Sequence, residues 1–226
     1  MIMKATTVPL TGYRRYPLEE MRTRAAAFYA ELLRRRTVRD FSDEPVPRDI
    51  LEQCIRTAGT APSGGNLQPW RFIVVSNPEI KKQIREGAER EDREFYAKQG
   101  SHDWREVVAP LGTGPRKPFL ETAPYLIAIF AQTYGPRPDG AKVKYYYAAE
   151  SVGIATGILI TALHNAGLAC LIHTPSPIAT LNDILGRPNH ERPFLLLAVG
   201  YPAEGAEVPE CVIEKKGLEE IAEFIE

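Results

Sequence analysis

Residues 61–70 read Ala-Pro-Ser-Gly-Gly-Asn-Leu-Gln-Pro-Trp, and the fold class turns on them. They follow a helical apolar pattern and precede a β-branched run. Neither G-x-G-x-x-G nor the Gly-Lys-Ser/Thr of a nucleotide loop is present. The paired glycines instead let backbone N–H groups approach a ligand, and Asn66 and Gln68 can each donate and accept. Such a loop suits a flat heteroaromatic ring; taken alone, it also suits a plain helix-to-strand turn.

Working outward, Pro17–Arg36 spaces Leu18, Met21, Ala25, Phe28, Leu32 and Leu33 as one stripe of a first helix. Pro45 and Pro47 block its continuation, and Pro47 opens a second helix that buries Ile50, Leu51, Cys54, Ile55 and Ala58 and ends near Gly59. Arg71–Ser76 predicts a strand. Asn77-Pro78 then caps a third helix running to about Gln99, so charged that only Ile80, Ile84, Ala88 and Phe95 offer a buried face. Residues 100–118 carry glycines and prolines around Trp104 and read as a functional loop, a lid that takes in the end of the third helix from about 90. Pro124–Ala131, Leu168–Ile172 and Phe194–Val199 are apolar runs of buried strands. Tyr146–Ala166 is a long helix whose Gly153, Ala155, Gly157 and Ala162 allow close packing against a neighbour or a second subunit. The class is therefore α+β: one domain over 1–226 with a central mixed sheet of four or more strands flanked by helices, and a polar extension from about 203.

Composition narrows function by exclusion. The 226 residues are 44% hydrophobic and 25% charged, and 28 basic against 29 acidic residues leave a net charge of −1. No field draws in a nucleic-acid backbone. The most apolar stretch, Val152–Leu163, falls well short of the roughly 20 residues that cross a bilayer. No apolar leader precedes a cleavage site, so the expected location is the cytoplasm. Cys54, Cys170 and Cys211 are widely spaced, fit a reducing compartment and show no metal-ligand spacing, and the four histidines share none.

Arg34-Arg35-Arg36-Thr37-Val38-Arg39 concentrates four guanidinium groups at the close of the first helix. Arginine forks match phosphate oxygens; alone, the run reads first as a solvated basic helix end, favoured by the helix dipole. The run and the 61–70 loop, with Gly200-Tyr201-Pro202, resemble the nitroreductase-like flavoproteins. Further stretches, Arg56-Thr57-Ala58-Gly59, Glu121-Thr122-Ala123-Pro124, His164-Asn165-Ala166-Gly167-Leu168 and Leu185-Gly186-Arg187-Pro188, resemble the iodotyrosine deiodinase branch over nearly all of 28–220.

The resemblance implies FMN held at the interface of a domain-exchanged homodimer. It assigns the phosphate to Arg35, Arg36, Thr37, Val38 and Arg39 with Lys215, and flavin contacts to Pro62, Ser63 and Gly64. Ile172, His173 and Thr174 lie beside the ring, the Thr174 hydroxyl reaching N5, where a donor favours one-electron steps. The substrate is a halotyrosine or halophenol, contacted by Gly65, with its zwitterion gripped by Asp92, Tyr96 and Lys117. The branch has Ser, Glu and Arg where this chain has Thr37, Asp92 and Lys215. A separate flavin-reducing donor is implied, no nicotinamide motif being visible. Two readings stay open beside reductive dehalogenation: a broader NAD(P)H-dependent nitro or quinone reductase, and a non-catalytic flavin-binding module.

Overall fold

The computed structural model describes residues 6–98, 106–136, 140–174 and 179–226, apart from the side chains of 96–98 and 179. The chain divides into two units, Met1–Arg34 and Arg35–Glu226. The first consists mainly of helix α1 (Leu18–Leu33), two residues shorter than its apolar pattern at the C-terminal end once Arg34 is set aside as the cap. None of its residues is buried, and Leu18, Met21, Phe28 and Leu33 of its stripe are exposed.

The second unit holds α2 (Arg48–Ala58), β1 (Trp70–Val75), α3 (Pro78–Lys98), α4 (Phe119–Thr122), β2 (Tyr125–Gln132), β3 (Tyr134–Pro136), β4 (Lys142–Lys144), α5 (Ala148–Asn165), β5 (Ala169–His173), α6 (Ala179–Ile184), β6 (Glu191–Gly200) and α7 (Leu218–Ile221). α2 starts at Arg48 with Pro47 at its N-cap position, one residue later than the sequence predicts, and Asn77 Oδ1 accepts the Glu79 and Ile80 amides at 2.9 and 3.1 Å to start α3 as predicted. The central sheet has four strands in the order β1-β2-β6-β5. Its strand pairs are antiparallel, and the parallel component is the bridge from Thr37 to Cys170 on β5.

The unbroken apolar runs follow from burial on both faces. Leu126, Ala128 and Phe130 of β2 with Leu196 and Ala198 of β6 point toward Ile84 and Ala88 of α3, Phe119 and Leu120 of α4 and Leu181 of α6. The alternate residues, Ile127, Ile129, Leu197 and Val199, meet Leu51, Cys54 and Ala58 of α2 and Val152, Leu159 and Leu163 of α5. β6 begins at Glu191, three residues before the apolar run. Pro193 is accommodated inside it because the register with β2 shifts between Ile129 and Phe130. The small residues of α5 do not share one face: Ala155 lies in the core, whereas Gly157 opens on free space beside the exposed Ile154.

Candidate functional site

The arginine run is laid along the edge of the sheet. Thr37 bridges Cys170, the Val38 amide donates to the Cys170 carbonyl at 3.5 Å, and residues 40–42 are tied to 201–203 through Ser42 N–H to Tyr201 O (2.9 Å) and Ala203 N–H to Asp40 O (2.8 Å). This pins the backbone between Arg35 and Arg39 beside β5, the strand that ends in Ile172 and His173, with Thr174 just past it. The four guanidinium groups then part company. Arg34 pairs with Glu31 in its own helix, and Arg36 Nη1 donates to the Arg35 carbonyl at 2.8 Å. Arg35 sits close enough to Cys170 for its charge to act on the thiol, whose pKa burial pushes up to about 11 against that pull. Arg35 and Arg39 have no carboxylate partner among the described residues.

Arg39 lines a cleft of about 230 Å³ whose other walls include Gly114, Lys117, Phe119, Ile172 and His173. Lys117 Nζ lies 2.5 Å from Asp92 Oδ2, with side-chain exposures of 8% and 17%. The pair that spacing along a charged helix would leave solvated is thus enclosed. The same ammonium donates to the Gly114 carbonyl at 2.9 Å, and the Lys117 amide donates to Glu89 Oε1 at 2.8 Å. Glu91, on another side of α3, accepts from the Thr180 hydroxyl at 2.7 Å, and Asp92 pairs with the Lys117 ammonium. The Tyr96 side chain, His102, Trp104 and Pro175 lie outside the described residues.

His173 forms part of the cleft wall edge-on to Phe119, and its Nε2 is buried with no hydrogen-bond partner among the described residues. Burial first, and then the charge of Lys117, push its pKa down to about 4 against an upward pull from Asp92, so the ring is neutral at pH 7. The unfolded chain protonates this residue near pH 6.5 and the folded one near pH 4. Stability therefore falls as pH drops through that window, by at most about 3 kcal/mol for 6.5 − 4 = 2.5 pH units. Thermal melts from pH 7 to pH 4 should show a steeper fall for the wild type than for His173→Gln; parallel curves would mean that the imidazole is not held neutral.

Of the predicted residues, Arg39, Lys117, Ile172 and His173 line this cleft, Asp92 meets it through Lys117, and the other described ones do not line it. Pro62, Ser63, Gly64 and Gly65 do not line it. Their loop is docked on the start of α5, with the Gly64 amide 3.3 Å from Ser151 Oγ and Ser63 Oγ accepting the Gln68 amide at 3.0 Å. A Cβ on Gly64 would stand 3.3 Å from both the Tyr146 carbonyl and the Tyr147 ring. Gly65, Asn66 and Gln68 all take positive φ, 57°, 54° and 48°, and a non-glycine residue so held costs on the order of 1–3 kcal/mol, a load that clusters at functional loops. Thr174 is exposed just past β5, and Lys215 is exposed with its ammonium on the Val212 carbonyl at 2.9 Å. Missed from the sequence were Glu89, Gly114 and Phe119. Glu89 is three residues before Asp92 on one helix face, a signal hidden within a run of charges.

An FMN phosphate and ring fit this donor set. Among the described residues the Arg35 and Arg39 forks have no carboxylate partner and stand on a fixed backbone, and the end of β5 presents Ile172 with Thr174 just beyond it. A second loop is kept free of side chain at Gly64. Among the described residues no cluster could hold a metal ion.

Comparison with known proteins agrees with that chemistry. Residues 32–201 match the nitroreductase family. The iodotyrosine deiodinase of Haliscomenobacter hydrossis is 51% identical over 210 residues, covering 93% of this chain and 94% of that protein, and iodotyrosine deiodinase 1 of Homo sapiens is 44% identical over 211 residues, covering 93% and 72%. A crystal structure of oxidized iodotyrosine deiodinase bound to FMN and 3-iodo-L-tyrosine superposes with a TM-score of 0.70 at 34% identity, covering 78% of this chain and 90% of that one. The chain belongs to the nitroreductase family, on its iodotyrosine deiodinase branch.

Proposed function

We propose that this chain is an FMN-dependent reductive dehalogenase that converts a halogenated tyrosine to tyrosine and halide. The observation that carries the reading is the enclosed Asp92–Lys117 pair beside the cleft. A zwitterion can replace each partner of that pair with its own opposite charge. Its ammonium takes Asp92 and its carboxylate takes Lys117, so the buried site stays neutral throughout. A substrate without both charges leaves the pair shut. The names and bound ligands of the relatives support the same class of substrate.

In the reaction the aryl carbon–halogen bond is replaced by carbon–hydrogen, with two electrons and one proton consumed and halide released; bound FMN supplies the electrons, renewed by a separate donor. Arg35 and Arg39 hold the phosphate, with Arg36, Thr37, Val38 and Lys215 assisting. Ile172, His173 and Thr174 flank the ring, the Thr174 hydroxyl serving as donor. Pro62, Ser63, Gly64 and Gly65, absent from the cleft of their own chain, face the site of a second copy, so the unit of function is a homodimer. The exposed stripe of α1 and the open Gly157 face are apolar surfaces available to that copy. Residues 90–118 act as the lid, closing over the zwitterion with Tyr96 and excluding water. No helix among the described residues is long and apolar enough to cross a membrane.

Anaerobic titration of the flavin absorbance with 3-iodotyrosine tests the reading. A saturable spectral change, followed by iodide release on reduction, is expected. A spectrum untouched by 3-iodotyrosine, with steady nitroaromatic turnover on NADPH alone, would reject it.

A further inference from the structure

The Lys117 ammonium is held by two contacts of its own, Asp92 at 2.5 Å and the Gly114 carbonyl at 2.9 Å, and its backbone by a third, the amide bond to Glu89 Oε1 at 2.8 Å. On the proposed function, on which this inference rests, a substrate ammonium takes Asp92 away. The side-chain anchor is thus weakened at the moment Lys117 must grip a carboxylate. The amide anchor to α3 is untouched by that exchange.

Glu89 is built to supply it. Its side chain is 12% exposed, and its other oxygen is engaged by Arg85 Nη1 at 2.9 Å, with Arg93 at 3.9 Å. Arg85 in turn bonds Glu121 of α4, four residues past Lys117. Lys81, one turn before Arg85, donates to the carbonyls of Glu121 and Ala123 at 2.7 and 2.8 Å. One face of α3, from Lys81 through Arg85 and Glu89 to Asp92, is therefore bolted to the segment 117–123. Pro118 has no amide to share in the work, and Lys117 has a single one. A carboxylate accepting that amide gives a charge-assisted bond, stronger than a neutral acceptor would.

We infer that Glu89 is a positioning residue for substrate recognition, fixing the Lys117 backbone to helix α3 so that the ammonium stays aimed when the zwitterion enters. Asp92 and its partner then ride on one rigid frame. The lid does not need to be rebuilt each time substrate binds.

Glu89→Ala and Glu89→Gln in the FMN-loaded protein separate this from a merely structural role. For Glu89→Ala, binding of 3-iodotyrosine should weaken about tenfold, the loss of one charge-assisted hydrogen bond, while 2-iodophenol, which lacks the zwitterion, binds as in wild type. Glu89→Gln keeps an acceptor and should restore most of the affinity. Hydrogen exchange gives a readout independent of substrate: the Lys117 amide should exchange faster in Glu89→Ala and stay protected in Glu89→Gln. Equal losses for both ligands, or an unchanged Lys117 exchange rate, would overturn the inference. Faster Lys117 exchange in Glu89→Ala, together with a wild type indifferent to 3-iodotyrosine, would instead uphold the anchor and reject the proposed function.

Discussion

Lys117→Ala should weaken 3-iodotyrosine binding by about 100-fold, as expected when one partner of a desolvated charge pair is truncated. The arithmetic of charge explains the size. In the wild type a neutral pair receives a neutral zwitterion. In the variant, Asp92 still meets the ammonium, but the substrate carboxylate enters an enclosed cleft with no counter-charge, and the site carries a net negative charge out of water. A simple halophenol brings neither charge, so its affinity should change by no more than a few-fold. The check is the flavin spectral titration run with both ligands on both proteins. Parallel losses for iodotyrosine and iodophenol would mean that Lys117 supports the cleft in general and does not read the amino acid. The Lys117 side chain also ties the segment before α4 to α3 through its ammonium. A moderate fall in melting temperature is therefore expected beside the binding effect and does not substitute for it.

The legibility of the fold depended on burial. β2 and β6 are covered on both faces, so their sequences are nearly continuous apolar runs and were readable without knowing what covers them. The β3–β4 hairpin was not readable: three-residue strands such as Lys142-Val143-Lys144 carry too few side chains to reveal a period. Helices α4 and α6, of four and six residues, escaped for the same reason. In the site, Asp92 and Lys117 were found as residue types, but their closure into an ion pair depends on how α4 packs on α3. The run from Glu89 to Glu94 looks like a solvated helix face, yet Glu89, Glu91 and Asp92 each serve a different neighbour: the Lys117 amide, Thr180 and the Lys117 ammonium. Charge density was visible in the sequence; the direction of each charge was set by tertiary packing.

The arginine cluster makes the second large prediction, because the structure breaks a repetitive run into unequal parts. Arg34 already has Glu31, and such an exposed pair contributes little, so Arg34→Ala should leave FMN affinity within a few-fold of wild type. Among the described residues Arg35 and Arg39 have no carboxylate to lose, and each has a planar fork suited to phosphate oxygens. Removing both should lower FMN affinity by roughly 10² to 10⁴, two charge-assisted contacts at about 1.5–3 kcal/mol each. Apoprotein stability should be unharmed, since the backbone of the run is pinned by Thr37, Val38 and Ser42, whose bonds do not involve the guanidinium groups. The double variant would then purify colourless and folded, regaining flavin absorbance only at high added FMN. Arg39→Lys should fall between, with the charge kept and the fork lost, and its residual affinity should decline more steeply with salt. If Arg34→Ala proves as damaging as Arg35→Ala, the division of labour along the run is wrong and the phosphate is held by the charge of the cluster as a whole.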